Sequence, residues 1–289
     1  MCSVLLASVA ILASTVSASA PTQALVFASD TASGQAAIAA LANFNVPYIA
    51  YSAASSTAYN TLPLTDSLGN ANFSMIVLGS GVLPFSSAQW TQLYTYQNTY
   101  NVRLVSLYDV PGVGAADPYT TTDNFASNSF SLSPYDNNNT IAKSAAGLSD
   151  TYSISFSTSN LGSTYPAKLI NTTAVTPILS FVDASTNATT IAACLYTFSQ
   201  TQQQLSFFYQ IAAWEVSIST NTVAATVSSY TDAIWISWAS NGTFAVSTPV
   251  TTTATGTTIA SASSLTSTPT PTSVGPFYVE QNALIISTG

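Results

Sequence analysis

The sequence contains no histidine. That absence excludes Ser-His-Asp triads, histidine-assisted cysteine nucleophiles and histidine-containing zinc sites in their usual forms. Cysteine is almost as scarce, with Cys2 and Cys194 the only two. Because Cys2 falls in an expected leader, Cys194 is left alone, which excludes an internal disulfide and a thiolate metal cluster. Cys194 lies in the apolar run IAACLYTF and reads as a buried, inert thiol. Positive charge is also short: Arg103, Lys143 and Lys168 stand against eleven acidic residues, for a formal charge of -8. A phosphate-binding surface needs clustered Lys and Arg, so nucleic acid is not an expected partner. No apolar run reaches the roughly 20 residues of a membrane span, so membrane insertion is not expected either.

What the chain does have is apolar and aromatic mass. Hydrophobic residues make up 47% and aromatics 11%, a composition that folds, since disordered chains combine low hydrophobicity with high charge. Charged residues are only 5%, leaving solubility to Ser, Thr, Asn and attached sugar. Asn72, Asn138, Asn171, Asn187 and Asn241 each open an Asn-x-Ser/Thr sequon and are expected N-glycosylation acceptors. The opening MCSVLLASVAILASTVSASA carries an apolar run from Val4 to Ala13, then small residues and an Ala18-Ser19-Ala20 pattern before Pro21. It reads as a signal peptide over 1–20, which predicts a secreted protein of the extracellular space or cell wall. Roughly 270 residues remain, enough for a real core. A folded domain is expected over 21–246. The Ser/Thr/Pro-rich 247–289, with its TSTPTPTS, is expected to be a disordered, O-glycosylated tail.

Within the domain, the first half alternates strand with helix. QALVFASD, VPYIAYS, SMIVLGSG and VRLVSLYD read as strands, and Ser33 to Asn45 has helical spacing at Ile38 and Leu41. Ser86 and Gln89 have capping-box spacing ahead of a helix whose Trp90, Leu93 and Tyr94 share a face. Such β-α-β units imply a mainly parallel sheet, Rossmann- or flavodoxin-like. Pro111 to Asp150 lacks a period and reads as long surface loops. Thereafter TYSISFSTS, AKLINTT, PILSFVD, TIAACLYTF and QLSFFYQI read as strands, with SQTQQ as a hairpin turn between the last two. Val223, Val227, Tyr230, Ile234 and Trp238 then recur at helical steps up to an Asn241-Gly242 stop. The fold class expected is α/β: a parallel half, a β-rich, partly antiparallel half and a final long helix.

Chemistry-bearing motifs are few. GSG at Gly79 to Gly81 completes neither GxGxxG nor GxxxxGK[ST] and reads as a plain strand-to-loop turn. Asp109, Asp117, Asp123 and Asp136 lie in or beside one loop region, but no EF-hand spacing supports a calcium site, and no metal or cofactor is expected. A pair of carboxylates could still hydrolyse a glycosidic bond without histidine, and that stays open as an alternative. A second alternative is a structural cell-wall or surface glycoprotein. Aromatics are the stronger resource: Tyr108, Tyr119 and Tyr135 lie in loops and can meet solvent, whereas Trp90 and Trp238 lie on apolar helix faces and are expected in the core.

SSAQWTQLYTYQNTYNVRLVSLYDVPG, Ser86 to Gly112, resembles the N-terminal region of the fungal galactosaminogalactan deacetylases, secreted enzymes of biofilm polysaccharide maturation. ALVFASDTAS, FNVPYIAY and the late DAIWISWASNG look similar and follow in the same order. The resemblance implies a carbohydrate-binding module, which in that family precedes a metal-dependent deacetylase domain. This chain runs into its Ser/Thr tail where that domain would begin, so a non-catalytic binder of an amino-sugar polysaccharide is expected. Its site is expected where open α/β sheets hold ligands, beyond the C-terminal strand ends. Those ends present Asp30, Tyr51, Ser80, Tyr108 and Asp109, with Tyr119 in the following loop. Asp30 and Asp109 are expected to face the ammonium of a deacetylated sugar, unless they serve as helix or turn caps.

Overall fold

The computed structural model describes residues 23–52, 62–80, 83–112, 119–123, 129–136, 139–144, 154–157, 164–170, 172–210 and 222–241. The expected leader and tail, Asp117, Trp214 and the sequons at Asn138 and Asn171 lie outside them.

The chain begins with β1 (Ala24–Phe27), α1 (Ala32–Asn43), β2 (Tyr48–Tyr51), β3 (Met75–Leu78), α2 (Ser87–Tyr100) and β4 (Arg103–Ser106). The four strands lie side by side in the order β2-β1-β3-β4, all parallel. Every residue of β1 and β3 is buried, as continuous apolar strands require when both faces are covered. Alternation sends Val26, Met75 and Val77 to one face, where they meet Ala37 and Leu41 of α1. It sends Leu25, Phe27, Ile76 and Leu78 to the other, where they meet Leu93 and Tyr96 of α2.

Local chemistry sets the helix ends. Thr31 is the N-cap of α1 and accepts from the Gly34 N–H. The Ser86–Gln89 capping box forms in full: Ser86 Oγ accepts the Gln89 N–H and Gln89 Oε1 accepts the Ser86 N–H. Asn101, left-handed at φ 54°, closes α2. The buried Tyr96 hydroxyl accepts the Phe73 N–H at 2.9 Å and donates to the Phe73 carbonyl at 2.8 Å, which ties the segment before β3 to α2.

The second half holds β5 (Thr120–Thr122), β6 (Ser129–Pro134), α3 (Thr140–Ser144), β7 (Ile154–Ser157), β8 (Ala167–Leu169), β9 (Val175–Asp183), β10 (Thr189–Thr197), β11 (Gln203–Phe207) and α4 (Thr222–Ser240). The reading of Pro111 to Asp150 as loops is therefore corrected. Its strands are short and polar, and distant partners order them: Thr120 pairs with Leu169, and Leu132 with Phe181. Among the described residues, all eleven strands make one mixed sheet. Strand β11 joins its halves, parallel to β4 through Leu205↔Val105 and antiparallel to β10 through Leu205↔Leu195.

Helix α4 covers the same face as α1, burying Ile234, Trp235, Ile236 and Trp238. The Arg103 guanidinium lies 5.0 Å from the Trp238 ring centroid and donates to the Trp238 carbonyl, holding the end of α4 to the start of β4. On the opposite face a smaller cluster forms around Cys194, Tyr196 and Phe208. The Cys194 thiol is buried, and burial pushes its pKa up, which keeps it protonated and unreactive. Among the described residues, no helix is long and apolar enough to cross a membrane.

Candidate functional site

Because β2, β1, β3, β4 and β11 all run the same way, their C-terminal ends share one edge of the sheet. Tyr51, Asp30, Ser80, Tyr108 and Asp109 follow four of those ends and are brought to that edge, but not with equal access. Asp30 is exposed, and Ser80 and Tyr108 are half-buried. Tyr51 is buried and stacks on Phe27 at 5.8 Å.

Asp109 departs furthest from expectation. It is 3% exposed and turns inward, so it is not an open carboxylate awaiting a cation. Its Oδ2 accepts from Ser206 Oγ at 2.6 Å and from Gln204 Nε2 at 3.3 Å, while Oδ1 accepts the Val110 N–H at 2.9 Å. Burial pushes its pKa up to about 6 against the opposing pull of these three donors. The physical reason is placement: β11 runs beside β4 and aims Gln204 and Ser206 at the same face as the end of β4. This polar group separates the two apolar clusters of that face. Ser106 Oγ, also on β4, is buried without a hydrogen-bond partner. Tyr94 of α2 and Tyr196 of β10 both respond to the Asp109 charge, although burial is the larger cause of their raised pKa values.

The turn after β1 is tightly built. Ala28 sits at φ 59°, a left-handed conformation costing a non-glycine residue about 1–3 kcal/mol. What holds it is the carbonyl it presents to the Thr31 N–H at 3.0 Å and the Thr31 hydroxyl at 2.7 Å. The same hydroxyl reaches the Gly79 carbonyl at 2.7 Å. The first glycine of GSG serves close packing here: a Cβ on Gly79 would lie 2.5 Å from Gly34 Cα. Thr31 supplies the N-cap of α1, and Asp30 stands outside it.

Two tyrosine rings meet at the same edge. The Tyr108 hydroxyl donates to the Tyr165 hydroxyl at 3.1 Å, and their rings lie 5.7 Å apart with planes 30° from parallel. Both are half-buried. Tyr165 escaped the sequence reading because nothing in TYPAKL marks it, its partner being 57 residues away. Tyr119 is half-buried against Tyr196 and Phe198 at 6.0 and 5.8 Å. Tyr135 is 48% exposed. Trp238 is buried, whereas Trp90 is only half-buried, stacking on Tyr94 at 5.8 Å. Of the described sequons, Asn187 and Asn241 are exposed, and Asn72 donates its side-chain amide to the Pro63 carbonyl at 2.9 Å.

Known proteins give this geometry a context. The sequence profile described as Agd3 CBM87 matches residues 20–238. Curated protein sequences give no match. Among solved structures, the chain is similar to the crystal structure of Agd3, described as a novel carbohydrate deacetylase, at 22% identity and a TM-score of 0.58. That alignment covers 77% of this chain and 33% of the other, so this chain spans about a third of that protein's length. A ThuA-like protein from Bacteroides uniformis ATCC 8492 aligns at 9% identity and a TM-score of 0.43, over 76% of this chain and 90% of that one. The Trypanosoma brucei CTPS glutaminase domain aligns at 8% and 0.38, over 74% and 94%.

Proposed function

The chain belongs to the Agd3 CBM87 family, a family of carbohydrate-binding modules, and from that premise we propose that it is a secreted, non-catalytic binder of an amino-sugar polysaccharide such as galactosaminogalactan. Family membership over residues 20–238 is the observation that carries the reading. The strand-end edge supports it, since it carries half-buried tyrosines and an exposed acid. Tyrosine suits a sugar face, because its ring is apolar and its hydroxyl polar. A formal charge of -8 draws the chain toward a polymer carrying ammonium groups and away from anionic ones. The exposure of Asp30 supports a contact with such a group at the surface, whereas the burial of Asp109 argues against one there.

Co-sedimentation of the full chain with insoluble polysaccharides tests the reading. Binding to a partly deacetylated galactosamine polymer, without release of reducing ends or acetate, is the expected result. No binding to any glycan would return the chain to the structural-glycoprotein class, and released reducing ends would make it a hydrolase. Secretion is part of the same proposal: protein recovered from the medium should begin after Ala20 or Ala18, and an intact Met1 there would overturn it.

A further inference from the structure

Two tyrosines from distant parts of the chain meet at the sheet edge, and their backbones are anchored to adjacent residues. The Asp109 N–H, next to Tyr108, donates to the Phe207 carbonyl at 2.9 Å, and the Tyr165 N–H donates to the Phe208 carbonyl at 2.7 Å. On the other side of Tyr108, the Leu107 N–H donates to the Leu78 carbonyl at 3.0 Å. Successive carbonyls at the end of β11 thus hold both ring-bearing segments, and the hydroxyl-to-hydroxyl bond at 3.1 Å sets the rings against each other.

We propose that Tyr108 and Tyr165 form one two-ring subsite that stacks against the C–H face of a pyranose in the polysaccharide chain. The inference rests on the carbohydrate-binding reading and narrows it to a place and a contact. Backbone anchoring on both segments and the shared hydroxyl bond mean that little ring freedom is lost on binding, and such preorganisation raises affinity. Asp109 acts here as a positioning residue: its bonds to Ser206 and Gln204 pin the residue after Tyr108 to β11. Stacking does not distinguish an acetamido from an ammonium substituent, so the subsite serves both polymer forms, and charge discrimination falls to Asp30.

The test is binding of the full chain to soluble, partly deacetylated galactosamine polymer and to its fully acetylated form, by titration calorimetry, with melting temperature measured on every variant. Tyr108→Ala and Tyr165→Ala should each weaken binding about tenfold on both polymers, because each removes an aromatic contact face from the sugar. The double variant should lose little more than either single one, because either loss frees the remaining ring. Tyr165→Phe, which keeps the ring and removes the hydroxyl bond, should lose only a few-fold, and Tyr135→Ala, elsewhere on the surface, nothing. Should Tyr165→Ala melt early, Tyr165→Leu keeps the apolar contact without a ring and should show the same tenfold loss. If the wild-type chain binds and the Tyr108 and Tyr165 variants bind equally well while folded, the subsite is wrong and the functional reading stands. If the wild-type chain binds neither polymer, both fall.

Discussion

Asp109 should make the folded state more stable in mild acid than at neutral pH. Its ordinary pKa of 3.8 is raised to about 6 in the folded state by burial. Between those values the folded protein keeps a proton that the unfolded chain has released, so stability falls as pH rises through the window and levels off above it. The full difference corresponds to about 3 kcal/mol, and the part lost between pH 4.5 and 7.5 is about 2 kcal/mol. For a domain of this size, that lowers the melting temperature by about 4–8 °C. Chemical denaturation at several pH values reads the slope directly. Self-repulsion of an acidic chain gives a slope of the same sign, so the informative quantity is the difference between wild type and Asp109→Asn. The variant cannot titrate; its one carbonyl oxygen can keep the Val110 N–H, and its NH2 then takes the place of Oδ2, where the Ser206 hydroxyl oxygen and, after the amide turns over, the Gln204 oxygen can accept. Its curve should be flatter by about 2 kcal/mol over that range and cross the wild-type curve so that the variant is the more stable at pH 7.5. Equal slopes for the two proteins would refute the argument.

Other consequences can be checked on the same material. Gly79→Ala should cost about 1–3 kcal/mol in urea denaturation, the usual result of overpacking, because its Cβ would meet Gly34 Cα at 2.5 Å; a neutral result would show that α1 can shift. Tyr96→Phe leaves the buried Phe73 N–H and carbonyl without their partner and should cost about 2–4 kcal/mol, whereas Tyr135→Phe should cost nothing measurable. Ser86→Ala should cost about 1 kcal/mol through loss of the capping box, read as a lowered urea midpoint at unchanged slope. Asp30→Asn should reduce the salt sensitivity of binding to partly deacetylated polymer, since exposed charges are screened within about 8 Å at physiological ionic strength, while Asp109→Asn should leave that sensitivity as it is; the reverse pattern would assign the ammonium contact to Asp109.

The elements that were legible in the sequence are those whose signal is local. Ser86 and Gln89 stand three residues apart and cap each other, and MIVL is apolar throughout because both of its faces are covered. Strands β5 and β6 carry no such signal: TTT and SFSLSP are ordered by pairing with β8, β7 and β9. The site divides in the same way. That Asp30, Ser80 and Tyr108 share an edge follows from the parallel β-α-β pattern alone. That Asp109 faces inward does not, because Gln204 and Ser206 lie 95 and 97 residues further on and no spacing rule reaches so far. The Tyr108–Tyr165 pair is hidden for the same reason.

The position of β11 has a consequence for synthesis. Strand β4 carries the buried Leu104 and Val105 and finds its second neighbour only in Gln204 to Ser206. At about 5–20 residues per second, about a hundred residues of translation, or about 5–20 seconds, separate the two strands. Throughout that interval the nascent chain presents an open, apolar strand edge, the kind of surface to which another chain can add. Chains truncated between 106 and 203 should therefore aggregate more readily than the full chain, and the arrival of β11 closes that hazard in a single step.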